Sequence, residues 1–239
     1  MFFDVLTLFP GMFDGIFAES ILARAIKNGI ISVKTDNIRD YTTDKHNTAD
    51  DEAYGGEPGM VMKAEPVAAA VKAARQRHKN KNFRVIFLSP SGRTINHDVV
   101  CEMTKYDGLV LLCGHYKGID QRAIDLYVDE ELSLGDFVLS GGEIPAMVLI
   151  DAVSRLIPGV LGNDASASRD SHYNGLLSAP CFTRPETFEG VKVPQVLLSG
   201  HHENIAKWHK ETSEKLTKEK RFDLWQKYEM KNKKEHLEV

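Results

Sequence analysis

The sequence lacks the patterns that would place it in several large classes. It holds three cysteines, Cys101, Cys113 and Cys181, with no C-x-x-C among them. An odd, scattered set argues against a disulfide framework and a cysteine zinc site, and a reducing cytoplasm suits it best. No two of its 18 glycines are separated by a single residue. G-x-G is therefore missing, and with it the dinucleotide fingerprint and the glycine-rich loop of the commonest methyltransferase fold. There is no G-K-[ST] phosphate loop, no H-E-x-x-H and no G-x-S-x-G nucleophile elbow. Long apolar runs are absent too. The opening MFFDVLTLFPGMF is broken by Asp4 and Pro10 and has no basic region ahead of it, which predicts a buried first strand and neither a signal peptide nor a membrane span. Net charge is small: 30 Lys and Arg against 34 Asp and Glu give −4. Taken alone, that argues against a nucleic-acid partner.

What remains is an ordinary globular composition, 42% hydrophobic and 27% charged over 239 residues, enough for one large domain or two small ones with a real core. Short apolar runs alternate with helical spacing. Val5 to Phe9, Ile31 to Val33, Val85 to Leu88 and Leu109 to Cys113 read as strands. Helices are predicted over Ile21–Ile26 with Ser20 as N-cap, Val67–His78 behind Pro66, Asn96–Tyr106, and the almost wholly apolar Glu143–Leu156. Strand, glycine loop, helix in repetition predicts an α/β fold with a parallel-type sheet and ligand loops at the strand C-termini. Residues 159–180 are small, polar and rich in breakers, a long linker of the kind that carries function. Beyond His201 the chain turns Lys/Glu-rich, with Trp208, Leu216, Phe222, Trp225 and Tyr228 spaced for a small helical domain.

Charge is uneven. Residues 1–162 sum to −5, residues 163–200 to −1 and residues 201–239 to +2. Within the first part, 63–93 holds eight Lys or Arg against Glu65, while 120–143 holds seven acids against Arg122, so two faces of opposite sign are expected.

The densest candidate for chemistry is residues 111–120, LLCGHYKGID, together with 132–145, LSLGDFVLSGGEIP. On composition alone their glycines read as tight turns or as a ligand cradle. SPSG at 89–92, CGHYKGID at 113–120, SLGDFVLSGGEIPAM at 133–147, DAVSRLIPGVLGN at 151–163 and CFTRPETFEG at 181–190 closely resemble the bacterial tRNA (guanine-N1)-methyltransferase family of TrmD type. So do LFPGMF at 8–13, YGGEPGM at 54–60 and VLLSGHH at 196–202, and the resemblance runs from residue 1 to about 210. It implies the knotted SPOUT class of S-adenosylmethionine-dependent enzymes, in which a deep trefoil knot holds the methyl donor. Such a knot breaks the usual rule of unthreaded connections and explains the missing G-x-G.

The resemblance also implies roles. Methylating N1 of guanine needs a base for the N1 proton and a cation near the developing charge on O6, and the family pattern puts these at Asp170 and Arg155. It implies cofactor contacts from Leu88, Pro90, Gly114, Leu134, Gly135, Asp136, Phe137, Val138, Leu139, Ser140, Gly141, Gly142 and Pro145. It places Asp50, Asp51, Tyr54 and Gly55 near a flipped guanine, the base 3′ of the anticodon of a tRNA anticodon stem-loop, and gives Lys207 and Trp208 to RNA binding. It further implies a homodimer, and a chain divided into a cofactor domain at 1–162, a linker with the catalytic Asp at 163–175 and a helical tRNA-binding domain at 176–239.

Three departures stand out. Lys117 occupies a position where the family usually has Glu, which leaves a role for Mg²⁺ open. Glu57 replaces the third glycine of the usual GGG, and KLTKEKRFDLW at 215–225 replaces an arginine-rich stretch. The competing readings are a knotted methyltransferase for a different RNA position and a non-catalytic RNA-binding protein on the same scaffold.

Overall fold

In the computed structural model, residues 1–56, 58–162 and 170–235 are described. Glu57 and most of the expected linker lie outside them. The chain divides into two compact units, Met1–Gly162 and Asn163–Val239.

In the first unit, β1 (Phe2–Thr7) leads through a short 3₁₀ turn (Pro10–Phe13) to α1 (Asp14–Ala18), α2 (Ser20–Lys27) and β2 (Ser32–Asn37). A small hairpin, β3 (Asp50–Glu52) and β4 (Met60–Met62), precedes α3 (Ala64–Arg77), β5 (Phe83–Thr94), α4 (His97–Met103) and β6 (Gly108–Cys113). Then come α5 (Gln121–Tyr127), β7 (Glu130–Ser133) and α6 (Glu143–Ser154). The five long strands form one parallel sheet in the order β2-β1-β6-β5-β7.

Its core follows the period of two that a strand imposes. Phe3, Val5, Ile86, Leu88, Leu109 and Leu111 face one side and pack with Leu22, Val99, Met103, Leu149 and Val153 from α2, α4 and α6. Phe2, Leu6, Val85, Phe87, Val110 and Leu112 face the other and pack with Val67, Ala70, Val71 and Ala123 from α3 and α5. The result is a sheet covered on both faces, which is why β6 reads GLVLLC and is buried throughout. One charge sits inside the second layer: the Asp4 carboxylate accepts hydrogen bonds from Arg77 Nε (3.0 Å) and Nη2 (2.7 Å) and lies 3.1 Å from His78 Nε2. Arg77 also bridges to Asp36.

Two sequence expectations are corrected. Ser20 does not cap α2; Glu19 holds the cap position, and Ser20 is the first helical residue at φ 57°. The charges do not separate into two faces either, because α3 and β5 lie beside α5 and β7. Arg75 pairs with Asp129 at 3.1 Å, Arg93 with Glu130 at 2.7 Å, and the Lys72 ammonium sits 5.1 Å from the centre of the Tyr127 ring. Two of the eight basic side chains of the 63–93 run thus pair with the acidic one.

The second unit contains the short hairpin β8 (Thr187–Phe188) and β9 (Val191–Lys192), then α7 (Gln195–Leu198), α8 (His202–Lys220) and α9 (Phe222–Glu235). Thr217, buried on α8, accepts the Leu177 N–H at 2.8 Å and so ties the 176–180 segment to that helix.

Candidate active site

Because the strands are parallel, the C-terminal ends of β5, β6 and β7 fall on one edge of the sheet, where loops gather in α/β proteins. Three loops meet there: 89–92, which bulges out of β5, 114–118 after β6, and 134–142 between β7 and α6. They enclose a cleft of about 670 Å³, solvent at its mouth included, within the usual size of small-molecule sites.

Backbone contacts lock the second and third loops together. The Gly142 N–H donates to the Gly114 carbonyl at 2.9 Å, and His115 and Gly141 form an antiparallel bridge. The approach is close enough to require glycine: a Cβ at Gly142 would stand 2.7 Å from Cys113 Cα. Below the loop, the buried Thr7 hydroxyl donates to the buried Glu143 carboxylate at 2.7 Å and accepts the Phe9 N–H at 2.9 Å. Burial, and then the Glu143 charge, push the Cys113 thiol well above its ordinary range, so it stays protonated.

Eleven of the residues expected at the cofactor line this cleft: Leu88, Pro90, Gly114, Leu134, Phe137, Val138, Leu139, Ser140, Gly141, Gly142 and Pro145. Gly135 and Asp136 belong to the same loop but do not line it. The lining also includes His115, Tyr116 and Lys117, which lie in the CGHYKGID motif but outside the residues expected at the cofactor. A ligand with an adenosine and an amino acid fits such walls: apolar Leu88, Leu134, Phe137 and Leu139, glycine backbone at close approach, and a buried His115 Nδ1 with no partner among the described residues. Magnesium does not fit them. No carboxylate lines the cleft, Lys117 does, and no cluster of three or more His, Cys, Asp or Glu suited to a metal occurs among the described residues.

The other expected residues are not among those that line the cleft. Arg155 is half-buried at the C-cap of α6, and its N–H donates to the Asp151 carbonyl at 3.1 Å. The Gly142 end of α6 is at the cleft, and twelve helical residues span ~18 Å, so Arg155 sits a full helix away from it. Asp170 is exposed and belongs to the second unit. Asp50 begins β3, and Gly55 follows it in the hairpin turn at φ 91°. Asp51 and the fully exposed Tyr54 line a second, larger recess with Asp44, Lys63 and Arg122; Asp51 lies 3.7 Å from Lys63. The Asp120 carboxyl there is held below its ordinary range by hydrogen bonding to Arg122. On α8, Lys207 pairs with Glu211 at 3.8 Å, and Trp208 leans on Phe182 and His209.

With this geometry established, likeness to known proteins narrows the reading. The family model described as tRNA (Guanine-1)-methyltransferase TrmD matches residues 1–227. A tRNA (guanine-N(1)-)-methyltransferase of Ruminiclostridium cellulolyticum is 53% identical, over 97% of this chain and 99% of its own. Proteins of the same name from Citrifermentans bemidjiense and Clostridium tetani are 54% and 50% identical, over 94% and 98% of this chain and 89% and 96% of theirs. The match covers nearly the whole chain, and the chain belongs to the tRNA (guanine-1)-methyltransferase TrmD family.

Proposed function

We propose that this chain is a tRNA (guanine-N1)-methyltransferase acting on the guanine 3′ of the anticodon. Family membership over residues 1–227 carries the reading, and the three-loop cleft is where its chemistry belongs. S-adenosylmethionine, bound there, supplies an electrophilic methyl on sulfur. As the N1–CH₃ bond forms and the S–CH₃ bond breaks, the N1 proton passes to the Asp170 carboxylate and Arg155 stabilises the charge on O6. Asp50, Asp51, Tyr54 and Gly55 hold the flipped base, and Lys207 and Trp208 bind the stem-loop. The 134–142 loop, tied at Gly142 to the end of β6, is the crossing of a trefoil knot.

The enzyme works as a homodimer in the cytoplasm. Arg155 is ~18 Å along α6 from the cleft of its own chain, farther than an arginine reaches, so the Arg155 that serves a given cleft comes from a second copy. Exposed Ile144 and Val148 lie one turn apart on α6, and the 3₁₀ turn packed beside it carries exposed Met12 and begins after exposed Phe9. That apolar face suits a subunit contact. The 1–162 unit thus holds the donor, 163–175 delivers the base and 176–239 binds tRNA.

The test is mass mapping of the methylated nucleotide in tRNA transcripts with and without guanine beside the anticodon. Methyl on N1 of that guanine is expected. Methylation at another position, or none, would refute the assignment.

A further inference from the structure

Lys117 is the one Lys or Arg among the described residues that lines the cleft, and no carboxylate lines it. Its side chain is exposed and makes no ion pair with any described residue. Its place is well defined. The Lys117 N–H donates to the Met60 carbonyl at 3.0 Å, the Met62 N–H donates to the Gly118 carbonyl at 3.0 Å, and the Asp120 N–H donates to the Met62 carbonyl at 2.9 Å. These bonds stitch the cleft loop to β4 of the small hairpin. The aliphatic stem then lies along Gly59: a Cβ there would meet Lys117 Cγ at 2.9 Å and Cε at 3.2 Å, and Gly59 sits at φ 110°, where a side chain is strained anyway. Gly59 thus leaves a groove for the lysine, and the stem runs from the cleft towards the hairpin. Arg39 adds a second cation on this side, its Nη2 donating to the Tyr116 hydroxyl at 3.3 Å.

A cation fixed at the lip, beside a hairpin and neutralised by none of the described residues, calls for an anion that arrives with a ligand. The methyl donor is a weak candidate. It carries two positive groups and one negative, and a lone ammonium in its cleft opposes the sulfonium. A strand of RNA brings a phosphate with every nucleotide. We propose that the Lys117 ammonium binds a backbone phosphate of the RNA strand that delivers the target guanine, an inference that rests on the tRNA methyltransfer reading above. The ammonium would then hold the strand at the junction of donor cleft and hairpin, and the hairpin would keep the base in register.

The experiment uses the full chain, an unmodified tRNA transcript and S-adenosylmethionine. Transcript affinity is measured from low to physiological salt for the native protein, Lys117→Met and Lys117→Arg, and donor affinity by calorimetry. For Lys117→Met, tRNA binding should weaken several-fold at low salt and the slope of log K against log salt should fall by about 0.7 to 0.9, one phosphate's share. Lys117→Arg should restore both, and donor affinity should hold. Unchanged tRNA affinity and slope in Lys117→Met would overturn the proposal. So would a loss of donor affinity with tRNA binding intact, which would give the ammonium to the donor's carboxylate. A native protein that binds the donor but neither binds nor methylates tRNA would overturn the parent reading, an outcome visible without any variant.

Discussion

Gly142→Ala tests the cleft at the point where its two loops touch. The added methyl would stand 2.7 Å from Cys113 Cα and 3.1 Å from Gly114 N. Both are backbone atoms at the end of β6, a strand buried along its length. Neither can swing aside as the tip of a side chain could. Reaching an ordinary contact of 3.4 Å requires a shift of 0.7 Å, the difference between 3.4 and 2.7, and that shift strains the 2.9 Å bond from Gly142 N–H to the Gly114 carbonyl. Overpacking of this kind costs about 1–3 kcal/mol and a weakened hydrogen bond about 0.5–1.5 kcal/mol. The sum, about 1.5–4.5 kcal/mol, corresponds to a Tm lower by about 3–18 °C for a chain of this size. Donor affinity should fall at least about tenfold, because the displaced backbone is the cleft wall, and mispositioning by this much is costly at a binding site. Scanning calorimetry and titration calorimetry read the two effects. Gly15→Ala is the control: nothing lies within 4 Å of its Cβ position in α1, and alanine there should raise Tm slightly. If Gly142→Ala melts within about 1 °C of the native protein and binds the donor as tightly, the cleft is not held together at this contact.

Asp170→Ala should keep native donor affinity and lose turnover by about a hundredfold or more, the usual loss when a general base is removed; near-native methylation of a tRNA transcript by this variant would eliminate Asp170 as the base. Arg77→Met leaves the Asp4 carboxylate, 4% exposed, with the His78 imidazole as its remaining side-chain partner among the described residues, and removing one side of a buried pair costs about 3–5 kcal/mol. Chemical denaturation should show that loss, and a change under about 1 kcal/mol would mean that His78 alone holds the charge. In the second unit, the Arg221 guanidinium, hydrogen-bonded at 2.6 Å, holds the exposed Asp223 carboxyl at about 2. Since the folded value is depressed, the pair's contribution is complete above the ordinary carboxylate range and is lost as pH falls through about 2. An NMR titration should find that value, and Arg221→Gln should return Asp223 towards the ordinary range; a native Asp223 titrating near 4 would show that the pair does not persist in solution.

The central strands were legible because they are buried on both faces and read as unbroken apolar runs, as at Leu109 to Cys113. The edges were not. β7, EELS, is an edge strand in which Glu130 pairs with Arg93 and Leu132 is buried. Such a strand reads as an acidic loop until its partner is known. β2, SVKTDN, at the opposite edge is nearly as polar. The order β2-β1-β6-β5-β7 pairs residues about a hundred positions apart, as Phe2 with Gly108, and no local periodicity encodes that. Separations of 54 and 37 positions likewise hid the pairing of Arg75 and Arg93, in the basic 63–93 run, with Asp129 and Glu130 of the acidic run.

The site divides in the same way. Residues that serve the cleft through backbone and shape could be read off as segments, because the glycines that permit close approach are themselves the motif: Gly114, Gly141 and Gly142 line it as expected. Residues that serve through a charged tip could not, since a tip acts where the fold carries it. Asp136, the one charged member of the expected cofactor set, does not line the cleft, whereas Lys117, set apart in the sequence only as a departure from the family pattern, does. Arg155 is the sharpest case. Its helix begins at the cleft, so adjacency in sequence suggests nearness, yet α6 is rigid and carries Arg155 ~18 Å away along its axis. If the cleft holds the donor and Arg155 stabilises the acceptor, a helix that starts at one and ends at the other cannot close both halves of one reaction within one chain. If Arg155 acts in catalysis, a second copy follows from the length of α6 alone, and a protein held monomeric by Val148→Glu on its apolar face should bind the donor and fail to transfer the methyl.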